Sequence, residues 1–82
     1  MTYEAVVRVT LKGGVLDPEA KTIQRSLNRL GFGVENLRTA DEYVVEIDAV
    51  DENEAREQAE EMCERLLANP TIHDYTVEVR ET

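Results

Sequence analysis

Tyr3-Glu4-Ala5-Val6-Val7-Arg8-Val9-Thr10-Leu11 decides the fold. Tyr3, Ala5, Val7, Val9 and Leu11 fall on one side of an extended chain. Glu4, Arg8 and Thr10 fall on the other, with Val6 the exception. A period of two predicts a half-buried strand over 3–11. Lys12-Gly13-Gly14 ends it, because two adjacent glycines favour a turn. Asp17-Pro18 then opens a helix: Asp is a good N-cap, and Pro suits a first position whose N–H would be unpaired anyway. Ala20, Ile23, Leu27 and Leu30 recur at i, i+3, i+7 and i+10, one apolar stripe, and Gly31 stops it. The spacing predicts a helix over 18–30.

Downstream, Val34 and Leu37 suggest a weakly alternating strand over 33–39, and Ala40-Asp41-Glu42 a turn. Tyr43, Val45, Ile47 and Ala49 alternate with Glu46 and Asp48, which predicts a strand over 43–50. Asp51 with Glu54 resembles a capping box with Asp in place of Ser or Thr. Ala55, Ala59, Met62, Cys63, Leu66 and Leu67 mark the buried face of a helix over 52–68, and Glu57, Glu60, Glu61 and Glu64 its wet face. Asn69-Pro70 ends that helix, since the residue before Pro avoids the α region. Tyr75, Val77 and Val79 point inward from a last strand over 71–80. The order is β-α-β-β-α-β. It predicts an α+β domain, a two-layer ferredoxin-like variant with an antiparallel sheet and two helices on one face.

One such domain fills residues 1–82, and its core is small. Chains this short are commonly supplemented by disulfides, a metal or oligomerisation. The single cysteine, Cys63, excludes an internal disulfide, and one histidine and one cysteine argue against a four-ligand zinc site. Self-association is left, and the open edges of a small sheet invite pairing through the sheet. The net charge of −9 disfavours a nucleic-acid partner and an anionic membrane surface, both of which need a basic footprint. No apolar run approaches the ~20 residues of a spanning helix. A cytoplasmic protein is expected. The acidic excess with only two lysines, Lys12 and Lys21, suits either a salt-adapted source or an acidic mesophilic one.

Tests for chemistry return little. Gly13-Gly14 lacks the spacing of a P-loop, and Gly31-Phe32-Gly33 is only half of G-x-G-x-x-G. A turn is the simpler reading of both. Cys63 sits between Met62 and Leu66 on an apolar stripe, where a thiol is inert. His73 and Asp74 are adjacent in a strand and so point to opposite faces. Asp51-Glu52-Asn53-Glu54 lacks the glycine of a calcium loop, with Arg56 at that position. No catalytic, cofactor-binding or metal-binding set emerges, and the residues alone describe a small acidic interaction module.

Two strings carry a resemblance. Val9-Thr10-Leu11-Lys12-Gly13-Gly14-Val15-Leu16-Asp17-Pro18-Glu19-Ala20, with the Leu30-Gly31-Phe32 helix exit, resembles the opening of PurS, the small subunit of phosphoribosylformylglycinamidine synthase. Met62-Cys63-Glu64-Arg65-Leu66-Leu67-Ala68-Asn69-Pro70-Thr71-Ile72-His73-Asp74-Tyr75 is similar to that family's C-terminal signature, its archaeal members above all. The resemblance implies a non-catalytic bridging subunit of a carbon–nitrogen ligase in purine biosynthesis. That enzyme converts formylglycinamide ribonucleotide, glutamine and ATP to formylglycinamidine ribonucleotide. It implies no cofactor in this chain, with ATP and Mg in the large synthetase subunit (PurL), and ammonia released by the glutaminase subunit (PurQ). It also implies a homodimer or dimer of dimers. Lys12, Gly13, Gly14, Arg65, Asn69, His73 and Tyr75 are the candidate partner contacts, being polar or turn-forming residues inside the two strings. From the residues alone, a regulatory module binding a small metabolite at a dimer interface, with the glycine loop as its site, stays open as the alternative.

Overall fold

A computed structural model describes all 82 residues. The elements are β1 (Thr2–Leu11), α1 (Pro18–Arg29), β2 (Ala40–Asp48), α2 (Glu52–Met62) continued by a π-helical turn (Cys63–Leu67), and β3 (His73–Glu81). The three strands form one antiparallel sheet in the order β2-β1-β3. The most regular strand of the sequence is thus the central one, paired on both sides.

Register follows from the alternation. Ala5 lies opposite Val45 and Val79, and Val7 opposite Tyr43 and Val77. This stacks apolar side chains of all three strands on one face. The other face gathers charges, and Arg8 crosses to Glu42 at 3.0 Å and Arg80 to Glu4 at 3.8 Å. Helix α2 lays Ala55, Ala59 and Cys63 on Tyr3, Ala5, Val7 and Val9. Alanine and cysteine let the helix approach the sheet closely, and eleven residues in all are buried. Asp51 caps α2, its carboxylate accepting from Glu54 N–H at 2.8 Å.

The α+β architecture is the expected one, a ferredoxin-like arrangement of an antiparallel sheet with two helices. Four details differ. Residues 33–39 form no strand, so the sheet has three strands. Helix α1 takes up the backbone there: Val34 N–H donates to Asn28 Oδ1 at 2.8 Å, and Val34 O accepts from Gln24 and Asn28 amides. The expected turn at 40–42 is instead the start of β2, because Asp41 and Glu42 pair with Val9 and Arg8.

The third difference is the end of the second helix. Ala68 N–H reaches Cys63 O at 2.9 Å, a five-residue step that widens the helix. Cys63 stays buried, but Leu66 is rotated outward and is 85 % exposed.

The fourth is the position of α1. Its only buried residue is Ala20; Leu30 is 74 % exposed and Phe32, just beyond, 61 %. The sheet face is covered by α2 alone, not by two helices. The chain is correspondingly long, 51 × 27 × 14 Å, with a radius of gyration of 16.2 Å. A compact domain of this length would have about 12 Å. Residues 12–39 are therefore an arm held off the sheet. Asp17 ties its two strands of chain together, accepting from Ala20 N–H at 3.0 Å and from Thr39 Oγ1 at 2.8 Å.

Candidate interaction surfaces

The fold brings most of the singled-out residues to one end of the sheet. Lys12-Gly13-Gly14 forms a tight turn closed by Val15 N–H on Lys12 O at 3.1 Å, and Gly14 has φ +85°, a conformation that favours glycine. Lys12 N–H donates to Ile72 O at 2.8 Å, so the first loop abuts the second helix exit. There, Asn69 O accepts from Ile72 and His73 N–H groups, and Asn69 Oδ1 from Thr71 N–H. Asn69 N–H donates to His73 Nδ1 at 2.9 Å. These bonds make Asn69 and His73 the frame of the turn before β3.

Tyr75 sits two residues on, its hydroxyl donating to Glu64 Oε1 at 2.7 Å. That bond, joined by burial and the Glu64 charge, pushes the phenol up to about 12. Arg65 lies apart from this cluster. It pairs with Glu61 at 3.3 Å and rims a groove between α2 and β2. Cys63 is fully buried, and burial, reinforced by Glu64 and Glu60, pushes its thiol up, away from the nucleophilic form.

The groove has a volume of about 410 Å³ and apolar walls from Val45, Met62, Leu66 and Leu67. It lies where a second helix would rest on the sheet. The arm carries the matching part. Ile23, Leu27 and Leu30 make a stripe along α1, while Lys21, Arg25 and Arg29, each four residues apart, lie along its opposite side. This basic row was readable as spacing. Its consequence was not, because only the fold shows that α1 leaves the sheet.

Charge is divided the same way. Residues 12–39 hold five cations and three carboxylates, a net +2, which leaves −11 for the rest of a chain totalling −9. None of those five cations is in an ion pair; the four pairs present are Met1–Asp48, Arg8–Glu42, Arg65–Glu61 and Arg80–Glu4. No helix is long and apolar enough to cross a membrane.

Comparison with known proteins matches residues 4–81 to a family model described as PurS: Phosphoribosylformylglycinamidine (FGAM) synthase. Phosphoribosylformylglycinamidine synthase subunit PurS of Methanocaldococcus jannaschii is 46% identical over 80 residues, 96% of each chain. The Bacillus subtilis subunit of the same name is 36% identical over 96% of this chain and 94% of its own. The crystal structure of the M. jannaschii protein superposes with a TM-score of 0.87 over 98% of both chains. A chain of the PurLQS structure from Thermotoga maritima, 30% identical, superposes at 0.90 over 98% of this chain and 99% of its own.

Proposed function

The chain belongs to the PurS family of phosphoribosylformylglycinamidine (FGAM) synthase, and from that premise we infer how it serves the enzyme. It is a subunit of FGAM synthase, a glutamine-dependent carbon–nitrogen ligase (EC 6.3.5.3) of purine biosynthesis. It works within a complex with the PurL and PurQ subunits. Its part is to hold them together so that ammonia passes from the glutaminase to the synthetase without escaping. ATP and its magnesium belong to the large subunit. The compartment is the cytoplasm, which the single free thiol suits.

The observation that carries this reading is the superposition over nearly the whole chain on a PurLQS component, arm included. The seven candidate contacts stand as proposals. Asn69, His73 and Tyr75 shape the turn that faces the partners, Lys12, Gly13 and Gly14 form the adjoining loop, and Arg65 marks the groove.

The oligomer is a homodimer or dimer of dimers in which α1 of one copy fills the α2–β2 groove of another. An apolar helix without a seat and an apolar seat without a helix occur once each per chain, so two chains satisfy both reciprocally. The net +2 arm and the −11 body favour the encounter. The open β2 and β3 edges provide a second contact for a dimer of dimers.

The test is reconstitution. Without this chain, glutamine-dependent synthesis by PurL and PurQ falls to background while ammonia-dependent synthesis persists. Full glutamine-dependent activity in its absence would overturn the bridging role.

A further inference from the structure

We propose that the cleft at the root of the arm is a binding site for the phosphate group of a small phosphorylated ligand. The cleft has a volume of about 470 Å³, within the range of small-molecule sites. It lies between the glycine turn, the first turns of α1 and the returning segment 36–39. Lys12, Lys21 and Arg38 line it, one from each of these three pieces of chain. They are three of only nine cations in a chain of net charge −9, and none is neutralised by an ion pair.

The one carboxylate in the lining, Asp17, is not their partner. It is occupied by Ala20 N–H and Thr39 Oγ1, and those two bonds, the backbone one first, hold its pKa below the ordinary value. The end of α1 is thereby already capped and is not the site. The free donors are elsewhere: the N–H groups of Gly13 and Gly14 donate to no protein acceptor. A side chain at either glycine would meet nothing within 4 Å, so the turn leaves open space where a ligand can approach the backbone.

Free backbone N–H groups beside lysine and arginine are the donor set that suits a phosphate, which offers three acceptor oxygens and nearly two negative charges. The apolar walls, Leu11, Val15, Leu16 and Leu37, give room for the body that carries it. No bond is made or broken here. The site holds a phosphorylated molecule at the root of the arm, where the glycine turn, α1 and the return segment meet.

The sequence points to the glycine loop as a metabolite site but not to the phosphate-binding set around it. The turn lacks the P-loop pattern, and Lys12 and Arg38 are brought together only because α1 and its return segment fold as one arm. The proposal is independent of the bridging role, since binding is read on the isolated chain.

The experiment titrates isotope-labelled protein with inorganic pyrophosphate, ADP and adenosine, following backbone amide resonances. Pyrophosphate and ADP should saturate shifts at Gly13 and Gly14, and adenosine should not. Tighter ADP than pyrophosphate assigns the ligand to nucleotides, and the reverse to free polyphosphate. Lys12→Ala/Arg38→Ala should weaken binding at least tenfold. Arg25→Ala/Arg29→Ala removes the same charge outside the cleft and should leave affinity within about twofold. No saturable shift at the two glycines, equal shifts with adenosine, or equal weakening by both double variants would overturn the site.

Discussion

Replacing Ile23 and Leu30 by Gln separates assembly from folding. In the isolated chain Ile23 is 39 % and Leu30 74 % exposed, so neither contributes much to the core. Gln retains helix propensity, and exposed substitutions of this kind change stability by about 0.5 kcal/mol or less. If α1 seats in the groove of a second copy, those exposed fractions become buried. Full burial of such a side chain is worth about 1.5–3 kcal/mol, so the two fractions together are worth about 2–3 kcal/mol per arm. Reciprocal exchange seats two arms, which weakens the dimer by roughly 10³- to 10⁴-fold in Kd. Sedimentation velocity across a micromolar dilution series reads this directly, with thermal melts of the same samples as the folding control. A mixture of variant and wild-type chains should lose about half as much free energy as the all-variant dimer. An unchanged oligomer in the double variant refutes the exchange and leaves the strand edges as the self-association surface. A lower melting temperature of the double variant than of the wild type, at dilutions where both are monomeric, refutes the claim that α1 is unseated.

Three further outcomes follow from particular contacts. Val7→Ala empties a fully buried position at the centre of the sheet and should lower unfolding free energy by about 2–3 kcal/mol in urea titration, whatever the oligomer does. Asp17→Ala removes the cap of α1 and the Thr39 tie, and should speed amide exchange at Ala20 and Thr39 while the strands keep their protection. Tyr75→Phe should flatten the alkaline limb of the stability curve. The phenol is raised from 10.0 to about 12, so its bond to Glu64 supports the fold fully below pH 10 and is lost as pH rises toward 12; chemical denaturation at pH 9 and 11.5 compares the two proteins.

How much of this was legible depended on whether a residue's partner was local. Residues 3–11 announce a strand because every second side chain is apolar, and Asp17-Pro18 and Asp51 announce helix starts because caps act within one turn. The absence of a strand at 33–39 could not be read so, since it turns on Asn28 and Gln24 claiming the Val34 backbone from a neighbouring helix. The outward rotation of Leu66 depends on the π-helical step closing on Cys63, which pattern alone does not reveal. The family strings located the two turns that meet through Lys12 N–H and Ile72 O. They did not separate residues that frame a turn, such as Asn69, from residues free to bind, such as Lys12.

The placement of α1 is where sequence and fold conflict, and it bears most on function. An apolar stripe at helical spacing ordinarily means a helix on its own sheet. Here the stripe is present and the sheet beneath is left open at Val45, with Met62 and Leu67 beside it. The isolated chain therefore holds a conflict between local pattern and tertiary packing that a second chain can remove. A subunit whose core is completed by association is well suited to a bridging part, because its shape is set only when the assembly forms. The same arm carries five of the six lysines and arginines that make no ion pair in an otherwise acidic chain. Seating its apolar side on one partner turns the Lys21-Arg25-Arg29 row outward, available to an acidic surface of another. On the proposed arm exchange, self-association and the binding of other subunits use two faces of one helix, and a variant that unseats the first should weaken the second.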